Sequence, residues 1–216
     1  MNRDFEFKQL LRAYRGGIIT EADFDLEMKQ LENGTHSSNG SNGAGGFKAF
    51  GKTYASEREA VIKFLEAVSA AETNGGDTVR AWLEVCTTDC IRGGLKMVAE
   101  RESYHGRAFE ARLKELGGKM PNRTTDEFRK NLAYLRDKKI SDAAKLHRGA
   151  TRFPNPEETI RPLFEFAESL KEDQTTKEMV KLFAEDELST LKWQKALCTA
   201  LTAQMKAMPA SASAAV

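Results

Sequence analysis

Residues 95–105 read LKMVAERESYH and residues 180–190 read VKLFAEDELST, an offset of 85 residues from Leu95 to Val180. Lys, Ala and two Glu are identical between them, and the apolar positions stay apolar. The same offset carries Glu72 onto Glu157, and Glu72 to Glu102 spans 30 residues, as does Glu157 to Glu187. Apolar residues recur at steps of three or four, the period of a helix with one buried stripe. A helical hairpin that occurs twice predicts a four-helix bundle with a two-fold-related interior.

Following each stripe shows where it is interrupted. One runs Ile91, Leu95, Val98, then Glu102 and His105, then Phe109, Leu113 and Leu116. The last runs Val180, Phe183, then Glu187 and Thr190, then Gln194, Leu197 and Leu201; the first runs Val61, Leu65, Val68, then Glu72, then Val79 and Leu83. Three acids are thus predicted to face inward at similar depth, with His105 one turn from Glu102. A buried carboxylate is costly unless it is paired, hydrogen-bonded or bound to a metal. Glu-x-x-His sets two ligands on one helical face. A donor set rich in oxygen with one imidazole suits iron or manganese better than structural zinc. The candidate ligands are Glu72, Glu102, His105, Glu187 and, through the repeat, Glu157.

Helix punctuation sets the boundaries. Ser56-x-x-Glu59, Thr124-x-x-Glu127 and Thr175-x-x-Glu178 are capping-box patterns, and Asn155-Pro156-Glu157-Glu158 is a fourth start. The expected helices are 56–86, 89–116, 124–147, 156–172 and 175–207. Gly75-Gly76 is expected to bend the first and Pro162 to kink the fourth; no period-2 segment competes. Residues 1–33 read as a short helical pair, 34–46 as a flexible Gly/Ser/Asn linker, 47–208 as the bundle and 209–216 as a disordered tail. The fold expected is all-α: an up-down bundle with an extra helix, plus a small N-terminal hairpin on a linker.

Composition excludes several classes. Lys+Arg number 33 against 32 Asp+Glu, so there is no basic footprint for nucleic acid and no polybasic membrane patch. No apolar run approaches the roughly 20 residues of a membrane span. The acids among the first residues do not fit a secretory leader, and Cys86, Cys90 and Cys198 suit a reducing compartment; the expected location is cytoplasmic. No nucleophile elbow or phosphate loop is present.

Ala99-Glu-Arg-Glu102-Ser-Tyr-His105, followed by Leu113-Lys-Glu-Leu-Gly-Gly118, resembles the second bundle helix of the ferritin and rubrerythrin-like superfamily, and the resemblance spans about Ser56 to Met205. It implies a carboxylate-histidine centre for one or two iron ions, manganese being the other candidate, with oxygen or peroxide redox chemistry. Glu72 would be the first-helix ligand, Glu102 and His105 the second-helix pair, and Glu187 the fourth-helix ligand. Two positions depart from the pattern: Thr190 stands where the second His belongs, and Glu157 lies in the first turn of its helix. The alternatives are a helical interaction scaffold without metal, or a bundle whose acids hold an amine. Phe7 to Leu31, with Gly17-Ile-Ile-Thr20-Glu-Ala-Asp23-Phe24 at its centre, resembles a short helical-pair module that mediates oligomerisation or docking to a protein partner.

Overall fold

The computed structural model describes residues 46–207 together with Phe24, Asp25, Met28 and Lys29. Six helices and one small hairpin are present among the described residues: β1 (Phe47–Ala49), β2 (Lys52–Tyr54), α1 (Glu57–Leu83), α2 (Asp89–Glu115), α3 (Asp126–Arg136), α4 (Asp142–Arg152), α5 (Pro156–Ser169) and α6 (Gln174–Ala207). The chain is an all-α helical bundle.

Contacts at the helix ends fix the directions. Arg58 at the start of α1 donates to the Leu116 carbonyl at the end of α2, and Arg92 donates to the Leu83 carbonyl, so α1 and α2 are antiparallel. The Glu57 carboxylate accepts the backbone N–H groups of Lys171, Glu172 and Asp173 in the turn between α5 and α6. Burial works against the charged Glu57 carboxyl, but the three amides outweigh it and hold the group below its ordinary range. Arg112 pairs with Asp173 at 2.8 Å, bringing the end of α2 to the same place. The four long helices therefore run up, down, down, up, and 116–155 form the one long crossover between the hairpins.

The crossover differs from the single helix expected over 124–147. It breaks at residues 137–141 into α3, which packs on α1, and α4, which packs on α6. Ser141 caps α4 by accepting the Ala144 N–H. Asp142 then reaches back to the turn between α1 and α2, accepting from Trp82 Nε1 at 2.8 Å and from the amides and hydroxyls of Thr87 and Thr88. Five donors on one carboxylate explain the break: the chain must turn there to deliver Asp142.

The core is continuous from α1 through α2, α5 and α6. Val61, Leu65, Phe109, Leu113, Leu163, Phe166, Val180 and Phe183 are all buried in it. Phe64 and Phe166 lie 4.8 Å apart, and Phe109 meets Phe183 edge-to-face at 5.1 Å. A second, smaller cluster around Trp82, Ile91, Leu95 and Leu146 closes the far end, with Trp193 packed against it; both tryptophans serve packing.

Two other expectations need correction. The hairpin at 47–54 was not expected: it pairs Ala49 with Lys52 across the two-residue turn Phe50-Gly51. Both turn residues have positive φ, 52° and 79°, which matches the twist of a tight hairpin. Phe50 tolerates this because its ring is buried against Phe64 and Phe166. α1 is continuous through Gly75-Gly76, and a Cβ at Gly75 would collide with Glu102 Oε2, so the glycine admits the close approach of α2. Caps at Ser56 and Asn155 match the expected pattern, but α3 is capped by Thr125 and the start of α6 by Asp173, which accepts the Thr176 N–H.

The expected N-terminal pair, the linker before Gly46 and the tail lie outside the described residues, apart from four positions. Those four are helical, and Phe24 and Met28 pack against the main core. No helix among the described residues is long and apolar enough to cross a membrane.

Candidate metal centre

α1, α2 and α6 bring Glu72, His105 and Glu187 together midway along the bundle. One ligand-type atom from each lies within 4.8 Å of the others. Glu72 Oε2 is 3.4 Å from His105 Nδ1, and Glu187 Oε1 is 3.9 Å from the same nitrogen. Ligand atoms each about 2.1 Å from one ion lie roughly 3 Å apart when adjacent and about 4.2 Å when opposite, so a small relaxation would put all three on a common ion.

The group is largely shielded from water. The side chains of His105, Glu72 and Glu187 are 6%, 9% and 17% exposed, and Phe183 packs edge-on to the imidazole at 5.1 Å. Glu72 Oε2 and His105 Nδ1 are both buried with no hydrogen-bond partner. Buried polar atoms are nearly always satisfied, so two orphans facing one another mark a place that needs a cation or a proton.

The tautomer of His105 follows from its other side. Nε2 lies 3.0 Å from Asp186 Oδ2; a carboxylate only accepts, so Nε2 carries the proton and Nδ1 keeps its lone pair toward Glu72 and Glu187. Burial lowers the His105 pKa, and Asp186, which pulls the other way, does not fully offset it, so the ring is neutral in the form that ligates.

Glu102, half-buried over Gly75, lies within hydrogen-bonding reach of Glu72 but outside the tight trio. Burial pushes Glu72, Glu102 and Glu187 well above the ordinary carboxylate range, and their mutual repulsion adds to it. A cation bound among them would remove this repulsion.

Arg101 supplies the one nearby positive charge on α2. It pairs with Asp186 at 3.3 Å and donates to the hydroxyl of Thr190. Thr190 is therefore bonded to a guanidinium and points to no ligand role. Glu157 falls outside the site: it is exposed in the first turn of α5, paired with Lys192 at 3.0 Å, and its carboxyl is lowered first by that lysine. The repeat carries its position in sequence, but α5 is only 14 residues long and begins level with Lys192, so its first acid stays at the surface. Glu168 pairs with Lys177 and Lys181, and Glu185 is exposed.

Three inward residues read from the sequence, Glu72, His105 and Glu187, thus converge; Glu102 lies beside Glu72 outside the trio, and Glu157 is remote. Asp186 and Arg101 were not anticipated. A signal existed: they occupy equivalent positions in the repeat, one basic and one acidic, so two helices packed in register would pair them. Tyr104 is 63% exposed, with its ring edge-on to the His105 imidazole at 6.0 Å. No family model, curated protein or solved structure matches the chain.

Proposed function

We propose that this chain is a ferritin-like metalloprotein that holds one divalent iron or manganese ion through Glu72, His105 and Glu187, with Glu102 as an additional carboxylate. The observation that carries this reading is the pair of facing, buried, unsatisfied atoms, Glu72 Oε2 and His105 Nδ1. Three things support it. Asp186 fixes the imidazole in the ligating tautomer. The charges are suited to a divalent ion: with Asp186 matched by Arg101, three inner carboxylates remain, and an ion plus one proton shared between Glu72 and Glu102 neutralises them. The up-down-down-up order with one long crossover is the connectivity of ferritin-like bundles.

The donor set fits one ion rather than two. A second would need Thr190 and a mid-helix acid on α5; Arg101 holds the first, and Glu157 is at the surface. Bound iron would supply electron transfer toward oxygen or peroxide. The protein's own part is separate. Phe183 shields the imidazole, Asp186 aligns His105, and the Glu72–Glu102 pair keeps a proton inside the site.

Titrating the metal-free chain with ferrous or manganous ion under nitrogen, followed by elemental analysis after gel filtration, tests the reading. One ion per chain, lost in His105→Ala, is expected. Failure to retain any ion would remove it. Arg101 favours a second reading, in which the guanidinium and protonated acids suffice and the bundle is a metal-free scaffold. That reading predicts no retained metal and no change in unfolding temperature on adding either ion.

A further inference from the structure

Beside the trio, between α1, α5 and α6, lies a cavity of about 120 Å³. Its walls are Phe64, Val68, Ile160, Leu163, Phe183 and Leu191, and its polar end is formed by Glu72 and Glu187, the same carboxylates that face His105. The first turns of α5 line it through Thr159, Ile160 and Leu163. Where a two-ion bundle would bring a third-helix acid inward, this chain brings Ile160 and Leu163. Ala67 and Ala71 complete the lining on α1; Ala71 is exposed and Ala67 half-buried, so small side chains form the edge where the cavity meets the surface.

We infer that this cavity binds a small, uncharged, mostly hydrocarbon molecule of about five to seven heavy atoms, seated against the carboxylates of the metal centre. The size follows from comparison: a dry apolar cavity of roughly 150 Å³ accommodates benzene. The lack of charge follows from the walls. Thr159 is the one polar side chain in the lining besides the two acids, and once an ion occupies the trio no carboxylate remains to pair with an ammonium group. What the molecule meets at the polar end rests on the single-ion reading; the existence of the binding cavity does not.

Fluorobenzene, followed by fluorine NMR, tests both parts on the full chain. Saturable binding is expected with or without metal. With manganous ion loaded, the bound ligand's signal should broaden strongly, because the cavity ends on two of the ion's ligands. Ala67→Leu and, separately, Ala71→Leu should each weaken binding about tenfold or more by filling the edge, while elemental analysis still finds one manganese per chain. If manganese is not retained but fluorobenzene binds and both variants reduce it, the metal reading falls and the cavity assignment stands. Absence of saturable binding, equal binding by wild type and both variants, or tighter binding of butylammonium than of fluorobenzene overturns the inference.

Discussion

The imidazole of His105 donates its Nε2–H to Asp186, 3.0 Å away on α6, and this hydrogen bond leaves Nδ1 bare toward Glu72. Asp186 is also the anion that Arg101 reaches from α2. One half-exposed carboxylate thereby aligns the only inward imidazole among the described residues and absorbs the nearest positive charge. Outer partners of this kind set ligand orientation and basicity.

The first prediction concerns that partner. Asp186→Asn should weaken ferrous or manganous ion binding by about 10- to 100-fold while leaving the unfolding free energy within about 0.5 kcal/mol of wild type, since the residue is partly solvated. Calorimetric titration beside denaturant unfolding checks it, and unchanged affinity would show that the imidazole needs no partner.

Within the trio, Glu72→Gln, His105→Ala and Glu187→Gln should each abolish retained metal. Glu157→Gln should leave it untouched, because Glu157 pairs with Lys192 at the surface. Metal loss on changing Glu157 would mean that the site extends to α5.

The metal-free protein should lose stability as pH rises. The folded chain holds Glu72, Glu102 and Glu187 above their ordinary value of 4.5, so it binds more protons than the unfolded chain. Stability is then fully present below 4.5 and declines above it until the folded groups ionise. Glu187→Gln should raise metal-free stability at neutral pH by about 1–2 kcal/mol and flatten part of that decline. A metal-free stability curve independent of pH above 4.5 would contradict it.

Asp142 has the opposite sign. Burial would raise its carboxyl, but hydrogen bonds from Trp82, Thr87 and Thr88 outweigh burial and hold it at about 2, against an ordinary 3.8. Its contribution is present above 3.8 and fades as pH falls toward about 2. Asp142→Ala should cost about 2–4 kcal/mol at neutral pH, because Trp82 Nε1 and the two threonines lose their acceptor inside the fold. The gap from wild type should narrow in acid, measured by urea unfolding at pH 6 and pH 2.5.

Much of this was legible in the order of the residues. The all-α class, the starts of α1 and α5, and the inward facing of Glu72, Glu102, His105 and Glu187 follow from helical period and capping chemistry, which act over three or four residues. The 85-residue repeat also marked α2 and α6 as equivalent helices. What the sequence could not settle depends on partners far along the chain. The break between α3 and α4 is set by Asp142 meeting donors 54 to 60 residues away. Phe50 adopts a left-handed turn because its ring enters the core, a reason that no turn rule contains. Glu157 looked equivalent to Glu72 by spacing, yet the level at which α5 begins leaves it at the surface beside Lys192. Local periodicity determines which face of a helix is buried; only packing decides how far along the bundle each helix starts, and that depth selects which carboxylates share a site.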